Sequence, residues 1–194
     1  MKIGCLFGTF DPPHLGHLSV AQAALNGAHL DQVWFVVTPR NPFKQGRSIS
    51  AEHHRLTMVR KLVRGRKGMH ACAEELSLPT PNYTATSLAH FRRIWPDHQF
   101  SLIIGEDNLI GFRGWHEYKE ILRHHDLIVY PRSGRTRSNA QAALKGASIR
   151  WLQQPLVPVS STQVREVARQ GREPKGLLTP AVQSYIEQEG LYAS

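Results

Sequence analysis

Two histidines three residues apart, His14 and His17, lie within the stretch "GTFDPPHLGH" that runs from Gly8 to His17. A connecting turn has use for glycine, proline and small polar residues, but not for two imidazoles. Gly8 permits close backbone approach. Pro12 and Pro13 fix φ ahead of a helix start. At i and i+3 the two rings share a helix face, and Gly16 beside them is expected to leave room for a ligand. A helix N-terminus presents open N–H groups and a positive dipole end, so imidazoles placed there can donate to phosphate oxygens. The same spacing also suits an ordinary polar helix face. A metal pair would need a further ligand, and no Cys, His or carboxylate stands at a matching spacing. The stretch is neither G-x-x-x-x-G-K-[ST] nor G-x-G-x-x-G, so any phosphate chemistry here rests on the histidines.

A second constellation, "SSTQVR", spans Ser160–Arg165. Ser160, Ser161 and Thr162 offer a choice of N-cap and several hydroxyl donors. Arg165 follows one turn later, with a guanidinium whose fork matches phosphate oxygens. It too reads as an anion-binding helix start, or more simply as a capped helix with a surface arginine.

The elements that must hold these residues follow from the apolar pattern. Strand-like runs cover 2–8, 32–39, 69–76, 99–105, 126–132 and 148–154. The strongest are continuous rather than alternating, as expected when helices cover both faces of a sheet. Helices are predicted over 15–28, 51–64, 85–95, 115–123 and 137–145, with caps at Ser50 and Thr84 and a stop at Trp95-Pro96. In the helix at 51–64, Leu56, Val59 and Val63 carry the apolar spacing. This order predicts an α/β chain with a doubly wound parallel sheet. Ligands of such sheets bind beyond the carboxyl ends of the strands, which is where Gly8–His17 falls. After Val159 the pattern changes to two helices without a strand. The chain is read as a single domain over 1–194, an α/β core at 1–158 followed by a helical part at 159–194. The irregular stretches 39–49 and 77–83 are candidate substrate loops.

Composition narrows the partners. Lys and Arg total 24 against 15 Asp and Glu, a formal charge of +9, which favours anionic ligands. The cations are spread, with local clusters at 60–67 and 132–137. No apolar run approaches the ~20 residues of a membrane span, and no signal peptide is read at the N-terminus. The expected location is cytoplasmic. Cys5 and Cys72 lie far apart in apolar runs and are read as buried thiols rather than a disulfide or a metal pair.

The two constellations together resemble the signatures of the nucleotidyltransferase superfamily, H-x-G-H and S-S-T-x-x-R. Further stretches, "TPRNPFK" at 38–44, "NYTATSL" at 82–88, "LIIGEDNLIGFRGWHEYKEIL" at 102–122 and "YIEQEGLY" at 185–192, are similar to the nicotinate-nucleotide adenylyltransferases. The departures are Phe7 where the family shows a second glycine, Val159 in place of Ile, and "LPTPN" in place of Arg-x-Gly-x-Ser. The resemblance implies a Rossmann-like fold and transfer of AMP from ATP to nicotinate mononucleotide, with release of pyrophosphate, in NAD biosynthesis. It implies that His14, His17 and Arg165 are catalytic and that Gly8, Thr9, Phe10, Ser161 and Thr162 join them in binding ATP. For the mononucleotide it implies Trp115 as a stacking surface, backbone groups near Thr84 and His116, Asp107 with Gly105 at the ribose, and Lys44 from its loop. The one implied cofactor is Mg2+, carried on the ATP phosphates rather than by protein ligands. Alternative acceptors within the superfamily are nicotinamide mononucleotide and phosphopantetheine, and a cytidylyltransferase would take CTP. A basic nucleic-acid-binding module is the remaining reading. It lacks an RNP-type aromatic motif, zinc-finger spacing or a helix-turn-helix signal, so neither nucleic acid nor membrane is expected as a partner. Self-association is left open.

Overall fold

The first strand-like run forms β1 (Lys2–Gly8), and its side chains divide between two apolar layers. Ile3 and Cys5 enter one layer and Leu6 the other. A strand covered on both faces has no solvent side, so the run stays apolar instead of alternating. In the computed structural model, residues 1–39, 49–131, 144, 146–153, 157 and 159–193 are described. Their other strands are β2 (Gln32–Val37), β3 (Met69–Cys72), β4 (Gln99–Gly105), β5 (Leu127–Tyr130) and β6 (Ile149–Trp151). All pair in parallel, in the order β3-β2-β1-β4-β5-β6.

One face of the sheet is covered by α1 (Leu15–Gly27) and α2 (Glu52–Val63), whose Leu18, Ala21, Met58 and Leu62 pack on Phe35 and Ile103. The opposite face carries α3 (Thr84–Ile94), α4 (Glu106–Ile110) and α5 (Tyr118–His124), which bury Leu88, Phe91, Leu109 and Ile121 against Cys5, Leu102 and Val129. Helices α6 (Ser161–Arg169) and α7 (Pro180–Gln188) add Val164, Val182 and Ile186 to the first layer. The fold is therefore the expected Rossmann-like doubly wound sheet with two C-terminal helices packed on it. Strand order reverses between β1 and β4, the place where such sheets leave a crevice. No helix among the described residues is long and apolar enough to cross a membrane.

Several boundaries differ from the sequence expectation. The strand expected over 69–76 ends at Cys72, and a 3-10 turn over Glu74–Ser77 turns the Glu75 side chain inward. The helix expected over 115–123 begins at Tyr118, with α4 and a 3-10 turn at Phe112–Gly114 preceding it. Glu117, the N-cap of α5, sits at φ +49°, outside the helical region, and Trp115 is extended, with φ −74° and ψ 143°. The expected caps also shift by one residue. Ala51 and Tyr83 are the N-caps of α2 and α3, neither with a side-chain cap bond. The Ser50 backbone N–H instead donates to Asp11 Oδ1. The helix expected over 137–145 lies largely outside the described residues.

Phe91 is fully buried, and its ring meets those of Phe7, Trp34, Trp95 and Phe100. Phe91→Ala is expected to cost about 3–5 kcal/mol, read as a lowered urea midpoint at unchanged slope. A loss under about 1 kcal/mol would contradict this packing role.

Candidate active site

The loop after β1 is shaped by burial. Phe10 is 2% exposed and sits at φ +50°, a backbone region unfavourable for an aromatic residue. Its ring packs on Phe35, with centroids 5.7 Å apart, and edge-on to His17 at 5.0 Å. A Cβ at Gly8 would lie 2.9–3.1 Å from that ring, so glycine is required where Phe10 folds back over the strand end. Phe7 points to the opposite face and stacks on Phe91, which accounts for a large residue beside that glycine.

His14 is the N-cap of α1, and its backbone N–H donates to His17 Nδ1 at 3.1 Å. The two rings stack with centroids 3.7 Å apart. Because Nδ1 of His17 accepts, its proton sits on Nε2, and the ring presents an N–H donor on that side. Gly16 does not leave a ligand-sized space, as the sequence suggested. A Cβ there would meet the His14 ring at 3.0 Å and the Val157 carbonyl at 3.1 Å, so this glycine makes room for the histidine. Nor are all the helix-start N–H groups open, since Leu15 N–H donates to the Leu177 carbonyl at 3.0 Å.

The second constellation is bonded directly to this loop, although Thr162 lies 145 residues after His17. Ser160 caps α6 by accepting from Gln163 N–H at 3.2 Å. Ser161 Oγ donates to Pro12 O at 2.9 Å, and Arg165 Nη1 donates to Asp11 O at 2.5 Å. Arg165 Nη2 donates to Thr162 Oγ1 at 3.3 Å. Gly8, Thr9, Phe10, His14, His17, Ser161, Thr162 and Arg165 thus form one group. Thr9 is 8% exposed, and its buried hydroxyl has no hydrogen-bond partner among the described residues.

Three residues that the sequence reading did not single out hold this group. Arg55 is 1% exposed and donates to four carbonyls: Ser50 O at 3.0 Å, Thr9 O at 2.8 Å, Thr38 O at 2.6 Å and Pro39 O at 2.8 Å. Burial pulls its pKa below the ordinary arginine value, partly offset by Glu52 and Asp11. Its signal was its position, since Arg55, Met58, Val59 and Leu62 have the spacing of one buried helix stripe. Asp11 Oδ1 accepts from Tyr192 Oη at 2.6 Å and from Ser50 N–H at 3.3 Å. Burial and the Asp11 charge push the Tyr192 phenol far above its ordinary value. Tyr192 carried no signal of its own beyond the family ending.

Across the crevice, Leu6 pairs with Ile103, so Gly8 and Gly105 end neighbouring strands at the same level. Gly105 is also the N-cap of α4, and Asp107 is exposed in its first turn. The Tyr83 and His116 rings stack at 4.3 Å, which brings Thr84, the first residue of α3, beside His116. Trp115 is half-buried, with its ring tilted on Phe112 at 5.0 Å. Lys44 lies outside the described residues. Among those described, no group of three or more His, Cys, Asp or Glu side chains could hold a metal ion.

The cytidylyltransferase-like family model matches residues 5–167. A Flavobacterium johnsoniae protein named "Probable nicotinate-nucleotide adenylyltransferase" is 39% identical over 193 residues, 99% of each chain. A Cytophaga hutchinsonii protein of the same name is 36% identical over the whole of both chains. The chain belongs to the nicotinate-nucleotide adenylyltransferase family. Its fold is also that of Plasmodium falciparum nicotinic acid mononucleotide adenylyltransferase complexed with NaAD, at a TM-score of 0.81 and 18% identity, covering 98% and 97% of the two chains. In this family member, the turn that replaces Arg-x-Gly-x-Ser is closed by Asn82, whose Nδ2 donates to Glu75 O at 3.0 Å.

Arg55→Met should strip four carbonyls, two of them in buried bonds, of their shared donor. The expected loss is about 3 kcal/mol or more, seen as a lowered denaturation midpoint that Arg55→Lys restores only in part. Full stability of Arg55→Met would contradict the tether.

Proposed function

We propose that this chain transfers AMP from ATP to nicotinate mononucleotide, giving nicotinate adenine dinucleotide and pyrophosphate. The observation that carries the reading is the direct bonding of the His14–His17 helix start to Ser161 and Arg165 at the mouth of the crevice. That group is rich in N–H and O–H donors. It contains no serine–histidine–acid arrangement of the kind that activates a protein nucleophile.

The chemistry needs no general base. A phosphate oxygen of the mononucleotide is already an anion and attacks the α-phosphorus of ATP. The new P–O bond forms as the bond from the α-phosphorus to the bridging oxygen breaks, and pyrophosphate leaves with that electron pair. The protein's part is alignment and neutralisation of charge spread over the phosphates.

In this reading His17 Nε2–H donates to the α-phosphate, with His14 stacked against it. The backbone of Thr9 and Phe10 lines the same side. Ser161, Thr162 and Arg165 hold the β- and γ-phosphates. The substrate is written as MgATP, with Mg2+ riding on the phosphates. Trp115 stacks on the pyridine ring, and backbone N–H groups near Thr84 and His116 receive the nicotinate carboxylate. Asp107 and Gly105 face the ribose, and Lys44 reaches in from its loop. Two buried free thiols, Cys5 and Cys72, suit a reducing, cytoplasmic setting.

The test is pyrophosphate release from ATP or CTP with a panel of acceptors. ATP with nicotinate mononucleotide should give the highest kcat/KM. A preference for nicotinamide mononucleotide, phosphopantetheine or CTP would overturn the assignment.

Two variants check the placement. His17→Ala should lower kcat by about 10²–10³, the cost of one transition-state donor, without moving the thermal midpoint by more than a few degrees. A near wild-type rate would contradict it. Trp115→Ala should raise KM for the mononucleotide about tenfold or more through lost stacking. An effect confined to ATP would contradict that role.

A further inference from the structure

Glu75 is 2% exposed in the 3-10 turn after β3 and faces the start of α3. Ser87 Oγ lies 2.5 Å from its Oε1 and 3.3 Å from the Tyr83 carbonyl. A hydroxyl has one proton. With an ionised Glu75, that proton goes to the carboxylate, and the Tyr83 carbonyl loses the hydroxyl and keeps only the Ser87 backbone N–H, which donates to it at 3.0 Å. With a protonated Glu75, the acid donates to Ser87 Oγ, and Ser87 then donates to Tyr83. The Glu75 Oε2 atom is buried without a hydrogen-bond partner among the described residues, an arrangement costly for a carboxylate and milder for an acid. Tyr83 is the N-cap of α3 and stacks on His116, so the chain Glu75–Ser87–Tyr83 ends at the turn assigned above to the mononucleotide.

We propose that Glu75 is a positioning residue for the mononucleotide half of the site, acting as a neutral acid that turns the Ser87 proton onto Tyr83 and fixes the start of α3. This rests on the adenylyl-transfer reading for its ligand. Burial pushes the Glu75 carboxyl up to about 7, against a downward pull from Ser87. The folded carboxyl therefore holds its proton where the unfolded one has lost it. Stability falls as pH rises from the ordinary carboxylate range through about 7, and it levels off above. Affinity for the mononucleotide falls through the upper part of that window. Among the described residues, the other titratable groups around Glu75 are Cys72 and Glu74 on its own segment and Tyr83 and His90 from α3. Glu74 Oε2 lies 3.8 Å from His90 Nε2. The neighbouring β2 residues, Gln32–Val37, carry none. Cys72, pushed up to about 11 by burial, stays neutral throughout.

The experiment compares wild type with Glu75→Gln, Glu75→Ala, Ser87→Ala and His90→Gln between about pH 6 and pH 8. Wild-type KM for nicotinate mononucleotide is expected to rise about five- to tenfold across that range, with KM for ATP unchanged. Glu75→Gln, an isostere of the acid, should keep the low value at every pH, and His90→Gln should keep the wild-type slope. Glu75→Ala and Ser87→Ala should raise the mononucleotide KM at low pH. An identical pH profile in Glu75→Gln overturns the proposal, as does an equal rise of both KM values in Ser87→Ala. If Glu75→Ala fails to fold, the Gln and Ser87 variants decide. Infrared difference spectra of the substrate-free protein separate this from the functional reading. A protonated-carboxyl band should fade between the two pH values in wild type and be missing in Glu75→Gln. Its absence in wild type overturns the proposal, whereas wild type that shows the band without turning over the mononucleotide strikes the adenylyl-transfer reading alone.

Discussion

Four backbone carbonyls, those of Ser50, Thr9, Thr38 and Pro39, converge on the guanidinium of Arg55 at 2.6–3.0 Å. Parallel strands leave such carbonyls without ladder partners where β1 and β2 end, and burying them unpaired is costly. One cation with five donors in a fixed fork satisfies several at once. Desolvation opposes the charge, and Glu52 and Asp11 offset it in part. The loop after β1 is thereby fixed at its root. Phe10 can then hold its φ of +50° under a buried ring. Asp11 is left facing Tyr192, Ser50 and Arg165, which draw α6 and the last residues onto the same loop.

The two sides of the crevice differ in character. The β1 side is built of donors and a guanidinium, held by bonds between segments far apart in sequence. The β4 side is built of aromatic rings and a helix start, with Tyr83 against His116 and Trp115 against Phe112. Polyanion alignment asks for the first kind of surface, because negative charge must be neutralised without adding a competing acceptor. A flat heteroaromatic ring asks for the second, where stacking area carries the energy.

What was legible in the sequence is what is local. The apolar runs of β1, β2 and β4 marked strands covered on both faces, and α1 and α2 were placed to within a residue or two. The Gly8–His17 and Ser160–Arg165 constellations stood out because they combine turn chemistry with unusual donors. The less legible features depend on long-range contacts. Arg55 reads as a polar residue until its stripe partners Met58 and Leu62 are seen to be buried with it. Glu75 looked like part of a strand, and only α3 packing over it shows why the strand stops at Cys72. Trp115 looked helical because its neighbours are apolar at helical spacing, but Glu117 takes φ +49° as the N-cap of α5, so the helix starts at Tyr118 and Trp115 stays extended. The role of Gly16 reversed, since the space it provides belongs to His14.

In the proposed reaction the substrate's own phosphate attacks the α-phosphorus directly, with the protein supplying position and charge. His14 and His17 stand where an imidazole could instead act as a nucleophile and carry the adenylyl group. The stereochemical course at phosphorus distinguishes these directly, using ATP made chiral at the α-phosphorus and nicotinate mononucleotide as acceptor. A single in-line displacement predicts inversion of configuration in the dinucleotide product. Retention would show two displacements through an adenylyl-enzyme and would contradict direct attack.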